Sequence, residues 1–101
     1  MKLHIRVLVY EPGKPGRVLD VPNTIEALQE LVDGFFEVLR DSRSGIQLYV
    51  NEEGAPRGLP PNRRFGAHDV VGTAVFTRHD ERGDTARLSD DDVQAIRALY
   101  G

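Results

Sequence analysis

The stretch Asn51-Glu52-Glu53-Gly54-Ala55-Pro56-Arg57-Gly58-Leu59-Pro60-Pro61-Asn62-Arg63-Arg64 constrains this chain more than any other. Pro56, Pro60 and Pro61 fix φ and carry no N–H, while Gly54 and Gly58 permit positive φ. Regular structure is therefore not expected between 51 and 64, although strand-like runs lie on both sides. Into this stiffened loop are packed two carboxylates, three guanidiniums and two side-chain amides.

The flanking segments read as short elements. From Leu3 to Tyr10, Leu3, Ile5, Val7 and Val9 alternate with Lys2, His4 and Arg6, the period of a half-buried strand. Two prolines and two glycines in Glu11–Gly16 end it. Arg17–Val21 reads as a second strand returning antiparallel to the first. After Pro22, Asn23 is placed to cap a helix, with Glu26 completing a capping box. Ile25, Leu28, Leu31 and Val32 form the apolar stripe of that helix, and Gly34 falls where a left-handed residue would end it.

Phe35–Leu39 and Ile46–Asn51 read as two more strands joined by a hairpin loop over Asp41–Gly45. Val70–Phe76, apolar on both faces, reads as a central strand, with Gly72 and Ala74 leaving room for a helix. His79–Arg87 reads as a charged loop. Ser89 followed by Asp90, Asp91 and Asp92 starts a second helix, with Val93, Ile96, Leu99 and Tyr100 as its buried edge. The order strand, strand, helix, strand, strand, loop, strand, helix predicts one α+β domain over residues 1–101. It predicts a mostly antiparallel sheet of about five strands with two helices on one face.

Composition narrows the functions. At 101 residues, 40% hydrophobic and 29% charged, the chain suits a single folded domain. It has no cysteine, which excludes a disulfide framework and thiolate chemistry and suits a cytoplasmic setting. The start has charges within its apolar run, which argues against a signal peptide, and no apolar run is long enough to span a bilayer. The net charge of −3 gathers in residues 68–101, and only the central region is slightly basic. Non-specific duplex nucleic acid, which needs a broad basic face, is not an expected partner.

Five segments carry a family resemblance: Val9–Lys14, Asn23–Gly34, Asn51-Glu52-Glu53-Gly54, Gly58-Leu59-Pro60-Pro61-Asn62-Arg63 and Val71-Gly72-Thr73-Ala74. Together the chain resembles, over about residues 5–100, a family of small bacterial, phage and plasmid proteins described as a domain of unknown function. Asp33-Gly34 stands where Gly-Gly is expected, and the Asp41–Gly45 loop is more charged than expected. The resemblance carries no activity, cofactor or catalytic residue. It implies a setting, that of mobile elements whose small proteins act on host machinery.

The candidate chemistry is sparse. His4, His68 and His79 lack the spacing of a metal site, so neither a metal nor another cofactor is expected. Ser42 and Ser44 lie outside any nucleophile turn, and Gly13 and Gly16 do not open a helix. Glu52 and Glu53 offer a general base, although adjacent strand residues point to opposite faces. Arg57, Asn62, Arg63 and Arg64 suit phosphate or carboxylate recognition. The alternative is that the arginines pair with Glu52 and Glu53 and pin the loop to its own domain. The acidic residues Asp90–Asp92 are accounted for by helix capping rather than by nucleic-acid mimicry.

These readings converge on a non-enzymatic binding module. Its expected surface is Asn51, Glu52, Glu53, Arg57, Asn62, Arg63 and Arg64, and its expected partner a host protein or an anionic, nucleotide-like small molecule. The alternatives are a small enzyme with Glu52 or Glu53 as base and Arg63 as charge stabiliser, or a structural component that oligomerises. A homodimer through a free sheet edge is expected.

Overall fold

Residues 4–40 and 44–101 are described by the computed structural model. Asp41, Ser42 and Arg43, in the expected hairpin loop, lie outside them, as do Lys2 and Leu3. Ten elements follow along the chain: β1 (His4–Tyr10), β2 (Arg17–Pro22), α1 (Ile25–Val32), β3 (Phe36–Arg40), β4 (Ile46–Asn51), β5 (Pro61–Phe65), β6 (His68–Val71), β7 (Ala74–His79), β8 (Thr85–Ala86) and α2 (Asp90–Tyr100). The main sheet has six strands in the order β2-β1-β7-β4-β3, with β8 also paired to β7, and β5 and β6 form a separate hairpin. Every pairing is antiparallel. The α+β class and antiparallel sheet match the expectation, with six strands in place of about five.

The helices do not share a face. Ile5, Val7, Val9, Tyr49 and Val75 pack with Leu28 and Val32 of α1, whereas Leu8, Tyr10, Leu48, Val50 and Phe76 pack with Val93 and Ile96 of α2 and with the β5–β6 hairpin. The cause lies in the strands themselves. Val7 to Tyr10 are apolar at every position and wholly buried, so each side of the sheet must be covered. β1 is thus an interior strand between β2 and β7, covered on both sides rather than half-buried as alternation suggests.

Several local expectations shift by a residue or more. Thr24, not Asn23, caps α1: its side chain accepts from the Ala27 N–H at 3.1 Å. Ile25 stays exposed, so Leu28, Val32 and in part Leu31 make the packed stripe. Asp33, not Gly34, takes the left-handed conformation at the end of α1, with φ 61°. Phe35 is exposed and precedes β3, and Leu99 is exposed on α2.

Larger corrections concern the second half. The expected loop yields its last residues, Pro61–Arg64, to β5. Proline is admissible here because Pro61 opens a strand in a two-stranded hairpin, where a missing donor breaks no central ladder. Val70–Phe76 is not one strand, because Gly72 at φ 80° turns the chain from the hairpin into the main sheet. The expected charged loop includes β8. Its Ala86 pairs with Arg78, while the nearby Leu88 N–H donates to Arg6 O at 3.1 Å.

The start of α2 is as expected, with one addition. Ser89 caps it: the Asp92 N–H donates to Ser89 Oγ, and Asp92 Oδ2 accepts from the Ser89 N–H. Arg78 from β7 also clamps both carboxylate oxygens of Asp92, at 3.0 and 2.6 Å. The Arg78 hydrogen bonds, aided by Ser89 and opposed by burial, lower the Asp92 pKa from 3.8 to about 2. A carboxyl held below its unfolded pKa stabilises the fold above that value and loses the contribution as pH falls from about 4 to about 2. Because Arg78 is partly open to solvent, we expect about 1–2 kcal/mol from this clamp at neutral pH. Urea unfolding at pH 6 and pH 2.5 should show that loss in the native chain and a smaller one in Asp92→Asn. Equal pH dependence in both would refute the assignment.

Candidate functional site

Four of the seven residues singled out in and beside the loop are internal fasteners. Asn51, at the end of β4, is 5% exposed. Its amide nitrogen donates to Val32 O and Asp33 O at 3.0 Å each, and its Oδ1 accepts from the Glu53 N–H at 2.7 Å. Arg57 reaches the same place, donating to Asp33 O at 2.5 Å and to Asp33 Oδ2 at 3.0 Å. The two side chains satisfy carbonyls that the end of α1 leaves open, and the guanidinium also suits the negative end of the helix dipole.

Asn62 does the equivalent work for the β5–β6 hairpin. Its amide nitrogen donates to Tyr10 O and Gly72 O at 2.8 Å each, and its Oδ1 accepts from the Arg63 N–H at 2.8 Å. Arg63 lies with its guanidinium carbon 4.8 Å from the centre of the Tyr10 ring and donates to Lys14 O at 2.6 Å. Arg64 is exposed, with Gly66 O as acceptor at 3.3 Å and Asp69 4.0 Å away. Among the described residues neither Glu52 nor Glu53 forms an ion pair, so the arginines do not pin the loop through them. Asp33, the Lys14 carbonyl and Asp69 receive the guanidiniums instead, because the 52–58 turn places Arg57 against the end of α1 and β5 carries Arg63 to Tyr10.

The remaining polar groups divide in the same way. Asp90 pairs with Arg6, and Asp92 with Arg78. His68 opens β6 and His79 ends β7, so they stand in different sheets. Among the described residues no three His, Asp or Glu side chains gather as a metal site would need. The sequence reading missed a buried polar knot, in which Gln47 Nε2 donates to Thr77 Oγ1 at 3.0 Å, Tyr49 OH at 3.3 Å and Thr85 Oγ1 at 3.4 Å. Gln47 Oε1 and His79 Nε2 are buried without a protein partner. A glutamine and a threonine paired across β4 and β7 are its trace in the sequence.

Among the hollows left open by the described residues, the most apolar belongs to a groove beside β3. Its first part is an apolar hollow of about 430 Å³ walled by Leu39, Ile46, Leu48, Phe65, Ile96 and Leu99, with Tyr100 at one end. The Gly66 N–H donates to Tyr100 OH at 2.8 Å, which fixes the β5–β6 turn against α2. Its second part, about 320 Å³, lies between the 52–58 turn and β6 and is edged by Glu37, Glu52 and Asp69. Leu39, Ala67 and His68 line both parts, so the two hollows adjoin. Of the seven residues, Asn51 and Glu52 line this groove; Arg63 does not, so Glu52 and Arg63 do not share a pocket there. Nothing in sequence spacing announces it, because its walls come from β3, β4, both hairpin strands and α2.

Residues 5–101 match the family described as a domain of unknown function (DUF3846). No curated protein and no solved structure matches the chain. Among the described residues no helix is long and apolar enough to cross a membrane.

Proposed function

We propose, for a chain that belongs to the domain-of-unknown-function family DUF3846, a non-enzymatic module that binds a protein partner through the groove beside β3. One observation carries the reading: an apolar hollow adjoins an acid-edged one along an edge strand that, among the described residues, has a neighbouring strand on one side only. An apolar hollow with a few convergent polar groups is the general form of a binding site. The loop still belongs to the working surface, since Glu52, Ala55 and Pro56 wall the second hollow. Its arginines weigh against an anionic, nucleotide-like ligand, because Arg57 and Arg63 already serve internal carbonyls. The resemblance to phage and plasmid proteins supports a host protein as the partner, met in the cytoplasm.

Amide and methyl NMR tests this directly. Titration with a pool of ten-residue peptides should shift resonances of Leu39, Ile46, Ala67, His68 and Leu99. Titration with ATP should leave Arg57, Arg63 and Arg64 unmoved. Shifts at the three arginines with ATP, and none in the groove with peptide, would replace this reading with the anionic-ligand one.

A further inference from the structure

We infer that the groove takes an extended partner segment as an added antiparallel strand on β3, reading large apolar residue, any residue, then lysine or arginine. The inference rests on the protein-binding reading above and names the chemistry of the partner.

The backbone makes the first argument. Phe35 pairs in register with Glu52, and the Glu52 N–H donates to Phe35 O at 3.0 Å. In an antiparallel ladder bonded and non-bonded pairs alternate, so Glu37 and Leu39 bond to β4 while Phe36, Val38 and Arg40 turn their N–H and C=O groups outward. The β4–β7 ladder has the complementary phase: the His79 N–H donates to Gly45 O, and Gln47 and Tyr49 bond toward β7. Val38 thus presents a donor and an acceptor on an edge with no neighbouring strand among the described residues. An unpaired edge of this kind is a template for strand addition.

Side-chain chemistry makes the second. Glu37 and Leu39 face the α2 side, where Glu37 edges the acidic hollow and Leu39 borders the apolar one. A residue opposite Leu39 therefore meets the apolar hollow. The residue opposite Glu37 meets Glu37, Glu52 and Asp69, of which, among the described residues, only Asp69 pairs with a cation, Arg64 at 4.0 Å. These are non-bonded positions for an added strand, where facing side chains come closest. Antiparallel addition places the apolar residue two positions before the basic one. Arg40, beside the apolar end with its charge engaged at Gly83 O, disfavours the reversed charge order. The strands β2 and β8, which also have one neighbour each among the described residues, border neither hollow.

Fluorescence anisotropy with a labelled ten-residue peptide containing Leu-Thr-Arg among Ser and Thr residues tests the inference on the full chain. Saturable binding is expected, weakened about tenfold when Arg is replaced by Glu. On a Glu37→Lys variant that preference should invert. Val38→Pro removes an outward N–H, which an edge strand tolerates, together with a half-buried side chain packed on the α1-side core, and should cost about tenfold in binding. Should that variant not fold, N-methylation of the peptide's central Thr removes a bond to Val38 from the other side and is expected to have the same effect. Equal binding of the Arg and Glu peptides, or indifference to that N-methyl group, overturns strand addition while leaving a groove-binding module if NMR still places peptides there. No binding of any peptide overturns both. A homodimer that Val38→Pro converts to monomer, with no peptide bound, assigns the edge to a second copy and also overturns the inference.

Discussion

Tyr10→Ala is expected to cost about 3–5 kcal/mol, a large part of the roughly 5–15 kcal/mol that holds a domain together. The ring is fully buried and is the hub of the α2-side core. Phe65 lies 5.5 Å away between centroids, Phe76 5.8 Å and Tyr100 6.4 Å, in tilted or edge-on contact. Arg63 covers one side, and the hydroxyl donates to Gly101 O at 3.0 Å. Burial is the main cause that pushes the phenol pKa up, with Arg63 and Arg97 opposing it, as a neutral, enclosed hydroxyl requires. In a chain of this size the thermal midpoint should fall by roughly 15–30 °C, measured by calorimetry or circular dichroism. Tyr10→Phe keeps the ring packing and should lose only about 0.5–1.5 kcal/mol.

The close approach of Gly16 provides an internal check. A Cβ there would lie 2.6 Å from Tyr10 Cζ, so Gly16→Ala should destabilise the native chain and be largely silent in Tyr10→Ala. That coupling is the signature of two groups sharing one space. Additive costs would mean that the ring and the Glu11–Gly16 turn do not meet as described.

What could be read from the residues alone follows from which interactions are local. The β1–β2 hairpin, the β3–β4 pair and the Ser89 cap were legible because alternation, turn residues and a serine before three aspartates act over a few positions. The sides on which the helices lie were also written in β1, where Leu8 and Tyr10 are as apolar as Val7 and Val9, but the alternation before them suggests a strand covered on one side. The extent of β5 was obscured by Pro60 and Pro61, since proline statistics speak to central strands and this hairpin has none. The roles of Asn51, Arg57 and Asn62 were out of reach for a different reason. Each bonds to carbonyls 10 to 52 positions away, and a polar residue fastening a distant carbonyl leaves no periodic mark. The groove is non-local in the same sense, which is why the loop drew attention and the edge of β3 did not.

Asn62→Asp separates fastening from recognition most sharply. Both acceptors of the Asn62 amide are backbone carbonyls, which cannot donate, so a carboxylate of the same shape would face Tyr10 O and Gly72 O with no proton to offer. Two hydrogen bonds are lost and their acceptors are left facing an anion, for an expected cost of about 2–4 kcal/mol at pH 7. The bond from the Arg63 N–H to Oδ1 survives, so the loss isolates the donor end. The two carbonyls should raise the pKa of the introduced carboxyl against the Arg63 guanidinium 3.4 Å from Oδ1, and the deficit should therefore be complete above that raised pKa and shrink as acid returns one proton. Comparing urea midpoints at pH 7 and pH 5 stays above the window in which Asp92 loses its own contribution. Arg64→Ala, an exposed change nearby, should stay within about 0.5 kcal/mol at both values. If Asn62→Asp unfolds at the same urea concentration as the native chain, the amide does not join the hairpin to β1. Asn62 would then return to the surface open to a partner.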